Sequence, residues 1–204
     1  MSRTIKVLLA EDQSMVREAL AALLGLEPDI EVVAQVARGD EVLAAARTHD
    51  VDVALLDIEM PGMTGMEAAA GLRKEFPALK LVVLTTFGRP GYLRSAMESG
   101  ADAFLVKDAP AAQLAAAVRK VLAGERVIDP TLAAAALAEG ANPLTDRERE
   151  ILRAAADGST NAELATVLHL SQGTVRNYLS TAIQKLAVRN RAEAVRIARE
   201  KGWL

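Results

Sequence analysis

With 204 residues, 51% of them apolar, the chain is long enough for two small domains and apolar enough to bury a core in each. It has no Cys and only two His, His49 and His169, which excludes disulfides, thiolate zinc sites, cysteine nucleophiles and a histidine-rich metal centre. The net charge of −3 hides an asymmetry: residues 143–204 carry +3 and residues 1–142 carry −6, which suits an acidic regulatory part joined to a nucleic-acid binder.

Residues 1–123 alternate short β-branched runs with amphipathic stretches. The runs Ile5–Ala10, Ile30–Val36, Val53–Leu56, Leu81–Leu84 and Ala103–Val106 are nearly unbroken, as expected of strands covered on both faces. Helical patterns follow them at Ser14–Leu26, Asp40–Arg47, Thr64–Phe76, Gly91–Ser99 and Ala111–Ala123. Five such units predict an α/β domain with a doubly wound, five-stranded parallel sheet. After Gly124 the strand signal ends, and 124–143 reads as a linker with a short helix in its Ala-rich part. From Leu144 the pattern is all-α, with helices at about 146–157, 161–168, 172–186 and 190–201. Thr64 with Glu67, Thr145 with Glu148 and Thr160 with Glu163 have capping-box spacing, and Ser171 can cap the third C-terminal helix. The domains expected are 1–123, the linker 124–143 and 144–204. The apolar stretch Ile5–Ala10 is too short for a secretory signal core and no run reaches membrane length, so a cytoplasmic protein without membrane insertion is expected.

Ligands of open parallel sheets bind beyond the carboxyl ends of the strands. Glu11 and Asp12 follow the first strand and Asp57 follows the third, so the three converge if those strands are neighbours. Clustered carboxylates repel one another unless a hard cation joins them, and Mg²⁺ takes a few carboxylate oxygens while keeping waters for a phosphate. Thr85 and Lys107, at the ends of the fourth and fifth strands, offer a hydroxyl and an ammonium to a phosphoryl group on Asp57. One strand-end acid is ordinarily a helix cap or a solvated residue. Five complementary groups at the ends of four strands are not explained that way.

These residues, with Met60-Pro61-Gly62, Gly65, Thr85-Thr86 and Phe104 three residues before Lys107, resemble a response-regulator receiver of flavodoxin-like fold over 5–123. The resemblance implies that a sensor histidine kinase phosphorylates Asp57. It also implies that Glu11, Asp12, Asp57 and the Glu59 backbone carbonyl hold Mg²⁺, and that Thr85 and Phe104 move together as a switch. Asp108-Ala109-Pro110 departs from the pattern in which proline directly follows the lysine, which affects the turn and not the chemistry.

In 172–186, Val175, Leu179, Ala182, Ile183 and Leu186 form a buried stripe. Gly173, Asn177, Ser180 and Gln184 lie opposite, with Arg176 at the edge. On composition alone a solvated face is as good a reading as a DNA-reading one. A helix at 161–168, a turn at His169-Leu170 and a helix from 172 have helix-turn-helix spacing. Leu144-Thr145-Asp146-Arg147-Glu148, Asn161-Ala162-Glu163-Leu164-Ala165, Thr174-Val175-Arg176 and Ile183-Gln184-Lys185-Leu186 resemble the LuxR-type output domain. The whole chain is thus similar to the NarL/FixJ class of response regulators. Tyr178 stands where that class has His and is kept as a packing or phosphate contact.

The resemblance implies a transcription factor that dimerises on phosphorylation and binds double-stranded promoter DNA. Thr174, Arg176, Asn177 and Ser180 are the expected DNA contacts, and Lys185, on the flank, the expected phosphate contact. The stretches 85–92, 141–145, 174–178 and 201–203 narrow the likeness to regulators of membrane-lipid desaturation. An Asp-dependent phosphatase would have Asp-x-Asp after the first strand, and a dinucleotide enzyme a Gly-rich turn there. Ala10-Glu11-Asp12-Gln13 is neither, so no enzyme is expected.

Overall fold

The computed structural model describes residues 3–86, 92–139 and 142–204. The chain divides into two compact units, one containing 3–86 and 93–135 and the other containing 142–204.

The first unit is built on a parallel sheet of β1 (Ile5–Ala10), β2 (Ile30–Val36), β3 (Val53–Asp57), β4 (Lys80–Thr85), β5 (Ala103–Val106) and β6 (Val127–Ile128). The strand order is β2-β1-β3-β4-β5-β6. Side chains alternate faces along each strand, and both faces are apolar. Val7, Leu9, Val53, Leu55, Val82, Leu84, Ala103 and Leu105 pack with α1 (Ser14–Gly25) and α5 (Ala111–Leu122). Leu8, Ala10, Ala54, Leu56 and Leu81 pack on the other face with α2 (Val42–Thr48) and α3 (Gly65–Glu75). That two-sided burial is why the runs are nearly continuous in sequence.

A sixth strand lies in the segment expected to be a linker. Val127 and Ile128 pair with Ala103 and Phe104 at the sheet edge. Two residues are too few to show a period, so β6 left no signal in the sequence. The expected helix start at Asp40 is a 3₁₀ turn, Gly39–Glu41, before α2. Residue 91, the expected start of the next helix, lies outside the described residues, and α4 is Tyr92–Glu98. The linker helix exists as α6 (Pro130–Glu139), and Asp129 Oδ1 accepts from Thr131 N–H at 2.8 Å to open it.

The second unit contains α7 (Asp146–Ala154), α8 (Asn161–Val167), α9 (Gln172–Lys185) and α10 (Arg191–Glu200). Its core joins Leu144, Ile151, Leu152, Leu164, Val175, Leu179, Ala182, Val195 and Ala198. The capping boxes of Thr145 with Glu148 and Thr160 with Glu163 are both formed, as is that of Thr64 with Glu67 in α3. No helix among the described residues is long and apolar enough to cross a membrane.

Candidate functional site

Strand order decides the site. β1 lies beside β3, with Ala10 level with Leu56, so Glu11 and Asp57 emerge together at the carboxyl edge. β4 and β5 follow with Thr85 level with Val106, which brings Thr85 and Lys107 to the same edge. Carboxylate oxygens of Glu11, Asp12 and Asp57 all lie within 4.8 Å of one another. Lys107 Nζ stands 2.6 Å from Glu11 Oε2 and 2.8 Å from Asp57 Oδ1. Glu11 is wholly buried, Asp57 is 5% exposed and Asp12 is exposed.

Burial pushes the Asp57 carboxyl up to about 6. The Lys107 hydrogen bond pulls the other way, and the Glu11 charge adds to the rise. Burial alone would lower the Lys107 ammonium, but its hydrogen bonds to Asp57 and Glu11 and their negative fields outweigh it and hold it above its ordinary value. One ammonium, shared between Glu11 and Asp57 with the Asp12 carboxylate beside them, leaves the edge negative. Three carboxylates converging at one edge with a single ammonium between them are the donor set of a hard divalent cation such as Mg²⁺.

The segment after β3 is shaped by glycine. Gly62 has φ +80, and a Cβ on Gly65 would stand 1.9 Å from the Asp57 carbonyl oxygen. Gly65 N–H donates back to Ile58 O at 2.9 Å, so the chain doubles back directly over the candidate acceptor. Glu59 is exposed in this segment. Arg17 donates from Nη1 to the Glu11 and Asp12 carbonyls at 2.6 and 3.4 Å, fixing the backbone of the acidic pair. Arg17 has no signal in the sequence, because an Arg on the first turn of a helix belongs to no motif.

Thr85 is 1% exposed and its Oγ1 donates to Thr86 O at 3.3 Å. Phe104, fully buried, pairs in register with Val83, two residues before Thr85. Thr85 and Phe104 therefore share the sheet face opposite to α1 and α5.

In the second unit α9 follows α8 after a short turn in which exposed His169 takes the left-handed conformation, φ 53. Ser171 Oγ accepts from Thr174 N–H at 3.0 Å, starting α9, and lies 2.8 Å from Thr174 Oγ1. Val175, Leu179 and Ala182 are buried, while Ile183 and Leu186 are half-buried. Arg176, Asn177 and Ser180 are exposed, and none of these side chains has an internal partner among the described residues. Tyr178 is half-buried and packs on the core of the unit, as does Trp203. Lys185 is otherwise engaged, its Nζ lying 2.8 Å from Oε2 of buried Glu148. Nothing in the sequence pattern marked that pair.

Residues 7–119 match the model of the response regulator receiver domain, and residues 142–198 that of the bacterial regulatory proteins of the luxR family. The chain is 45% identical to the transcriptional regulatory protein DesR of Bacillus subtilis over 199 residues, 98% of each chain. It is 41% identical to the response regulator RamR of Streptomyces coelicolor over 206 residues, the full length of both. The crystal structure of the response regulator ChrA of a heme-sensing two-component system is 34% identical over 97% of each chain, with a TM-score of 0.60. Of the stretches that narrowed the likeness, residues 87–91 and 141 lie outside the described residues.

Proposed function

The chain belongs to the response regulators that join a receiver to a LuxR-type output domain and is a transcription factor of that class; on that premise we propose that Asp57 is the phosphoacceptor and that its phosphorylation controls promoter binding through α9. The observation that carries this is the convergence of Glu11, Asp57 and Lys107 within 2.8 Å contacts at the carboxyl ends of β1, β3 and β5. A carboxylate oxygen of Asp57 would attack the phosphorus of a phosphohistidine on a sensor kinase. The P–O bond forms as the P–N bond breaks, and the electron pair returns to the imidazole. Lys107 already faces that carboxylate and is placed to pair with the oxygens of the phosphoryl group it gains.

Glu11, Asp12, Asp57 and the Glu59 carbonyl would hold Mg²⁺, which when bound offsets the negative charge of the transferring group. Buried Thr85 supplies the hydroxyl that follows the phosphate oxygens, and Phe104, on the same face, responds to the space this opens. Phosphorylation adds roughly −1.5 to −2 charges and joins two copies of the chain. One recognition helix reads too few base pairs for selectivity, so the dimer places two copies of α9 on half-sites about one helical turn apart. Thr174, Arg176, Asn177 and Ser180 form the DNA-facing surface, with Arg176 matched to the two acceptors of guanine. The likeness to regulators of membrane-lipid desaturation supports that process as the one controlled, inside the cytoplasm.

The test is incubation of the full chain with acetyl phosphate and Mg²⁺, followed by intact-mass measurement. One phosphoryl adduct should appear, should need Mg²⁺ and should vanish in Asp57→Asn. Full labelling of that variant refutes the assignment.

A further inference from the structure

Lys185 ends α9 on the flank of the reading face, where its charge alone would assign it to a DNA phosphate. Its surroundings assign it elsewhere. Among the described residues three helices open on a Thr/Glu capping box, and the three glutamates differ. Glu67 and Glu163 are exposed and do no more than close their boxes. Glu148 is 4% exposed, and its Oε2 accepts from Thr145 N–H at 2.7 Å and from the Lys185 ammonium at 2.8 Å. Capping does not require that burial, since the other two boxes form without it. A buried carboxylate is tolerated only with a partner, and here the partner comes from the last turn of α9. The lysine also meets the negative end of its own helix dipole there, and Glu148 the positive end of α7. The Lys185 and Thr145 hydrogen bonds together hold the Glu148 carboxyl below its ordinary range against the opposing effect of burial.

The neighbouring Arg147 donates to Leu168 O at 3.3 Å, in the turn that leads into α9. Consecutive residues of α7 thus grip the entry and the exit of α9. The apolar stripe of Val175, Leu179 and Ala182 fixes which side of α9 faces the core, but a stripe of aliphatic side chains tolerates small rotations and slides. The Lys185–Glu148 contact at 2.8 Å adds to that stripe a polar tether that favours one arrangement of the two helices.

We propose that Glu148 and Lys185 are positioning residues for DNA readout: their pair sets the rotation and axial position of α9 that let Arg176, Asn177 and Ser180 reach base edges together, and Lys185 makes no phosphate contact. This rests on the reading of α9 as the DNA-reading helix. Glu148 touches no DNA and acts through Lys185.

The experiment uses the phosphorylated full chain, a duplex selected by the parent protein from a random pool and a scrambled duplex of the same composition, each titrated over a salt series. Lys185→Met and Glu148→Gln should each narrow the gap between the two duplexes about tenfold, as the loss of one base contact would. The double variant should be no worse than the more damaged single one, and the salt slope should stay unchanged in all three. A phosphate contact behaves otherwise. Lys185→Met would then weaken both duplexes in proportion and lower the slope by about one, while Glu148→Gln changed neither, and that result overturns the proposal. Glu148→Gln keeps a side chain suited to the capping box. If Lys185→Met does not fold, the glutamine variant alone decides, and an unchanged gap refutes the pair. Arg176→Ala is the reference. If it narrows the gap and the pair variants do not, only the positioning role fails; if it leaves the gap unchanged, the reading of α9 fails and the proposal with it.

Discussion

Replacing Asp57 with Asn should make the first unit more stable when divalent cations are absent. The side chain is 5% exposed, lies among the Glu11 and Asp12 carboxylates, and shares a single ammonium with Glu11. Burial and the Glu11 charge outweigh Lys107 and move the carboxyl from 3.8 to about 6. A displacement of that size corresponds to about 3 kcal/mol against the ionised form in the folded state at neutral pH.

The folded value is raised, so the unfolded chain ionises first. The penalty is absent below about pH 4, grows as pH rises toward 6 and is constant above it. Asn fills nearly the same volume without the charge and leaves Lys107 paired with Glu11. Urea unfolding in EDTA at pH 7.5 should therefore show a higher midpoint for Asp57→Asn and an unfolding free energy larger by up to about 3 kcal/mol, with the difference shrinking as pH falls through the same window. Mg²⁺ should reverse the order, because a cation that binds only the folded parent stabilises it by mass action. Equal or lower stability of the variant in EDTA, or a difference independent of pH between 4 and 6, would show that Asp57 carries no such penalty.

Gly65→Ala places a methyl group 1.9 Å from the Asp57 carbonyl oxygen and 2.9 Å from its carbon, in a backbone anchored by a buried strand. Overpacking of that kind costs about 1–3 kcal/mol, and urea unfolding should register it together with slower labelling by acetyl phosphate; parent-like values of both would show that the segment yields freely. Thr85→Ala should accept phosphate at Asp57 yet lose the phosphate-induced dimer in sedimentation velocity, and normal dimerisation of the labelled variant would remove Thr85 from the switch.

Much of this molecule is written locally. The five apolar runs, the three Thr/Glu boxes and the strand-end positions of Glu11, Asp57, Thr85 and Lys107 could be read along the chain, because period and capping depend on residues only a few places apart. The helix-turn-helix spacing and the outward face of Arg176, Asn177 and Ser180 were legible for the same reason. Tertiary structure alone decided how charge is distributed. That Glu11 is sealed and Asp12 exposed, and that Lys107 bridges Glu11 and Asp57, follow from placing β1 beside β3 and the end of β5 at the same edge. β6 exists only because β5 offers Ala103 and Phe104 a free edge to pair with. Lys185 reads as a free cation in its own helix and becomes the partner of a buried glutamate 37 residues away. Burial and ion pairing are properties of what the fold brings near a side chain, and no local period encodes them.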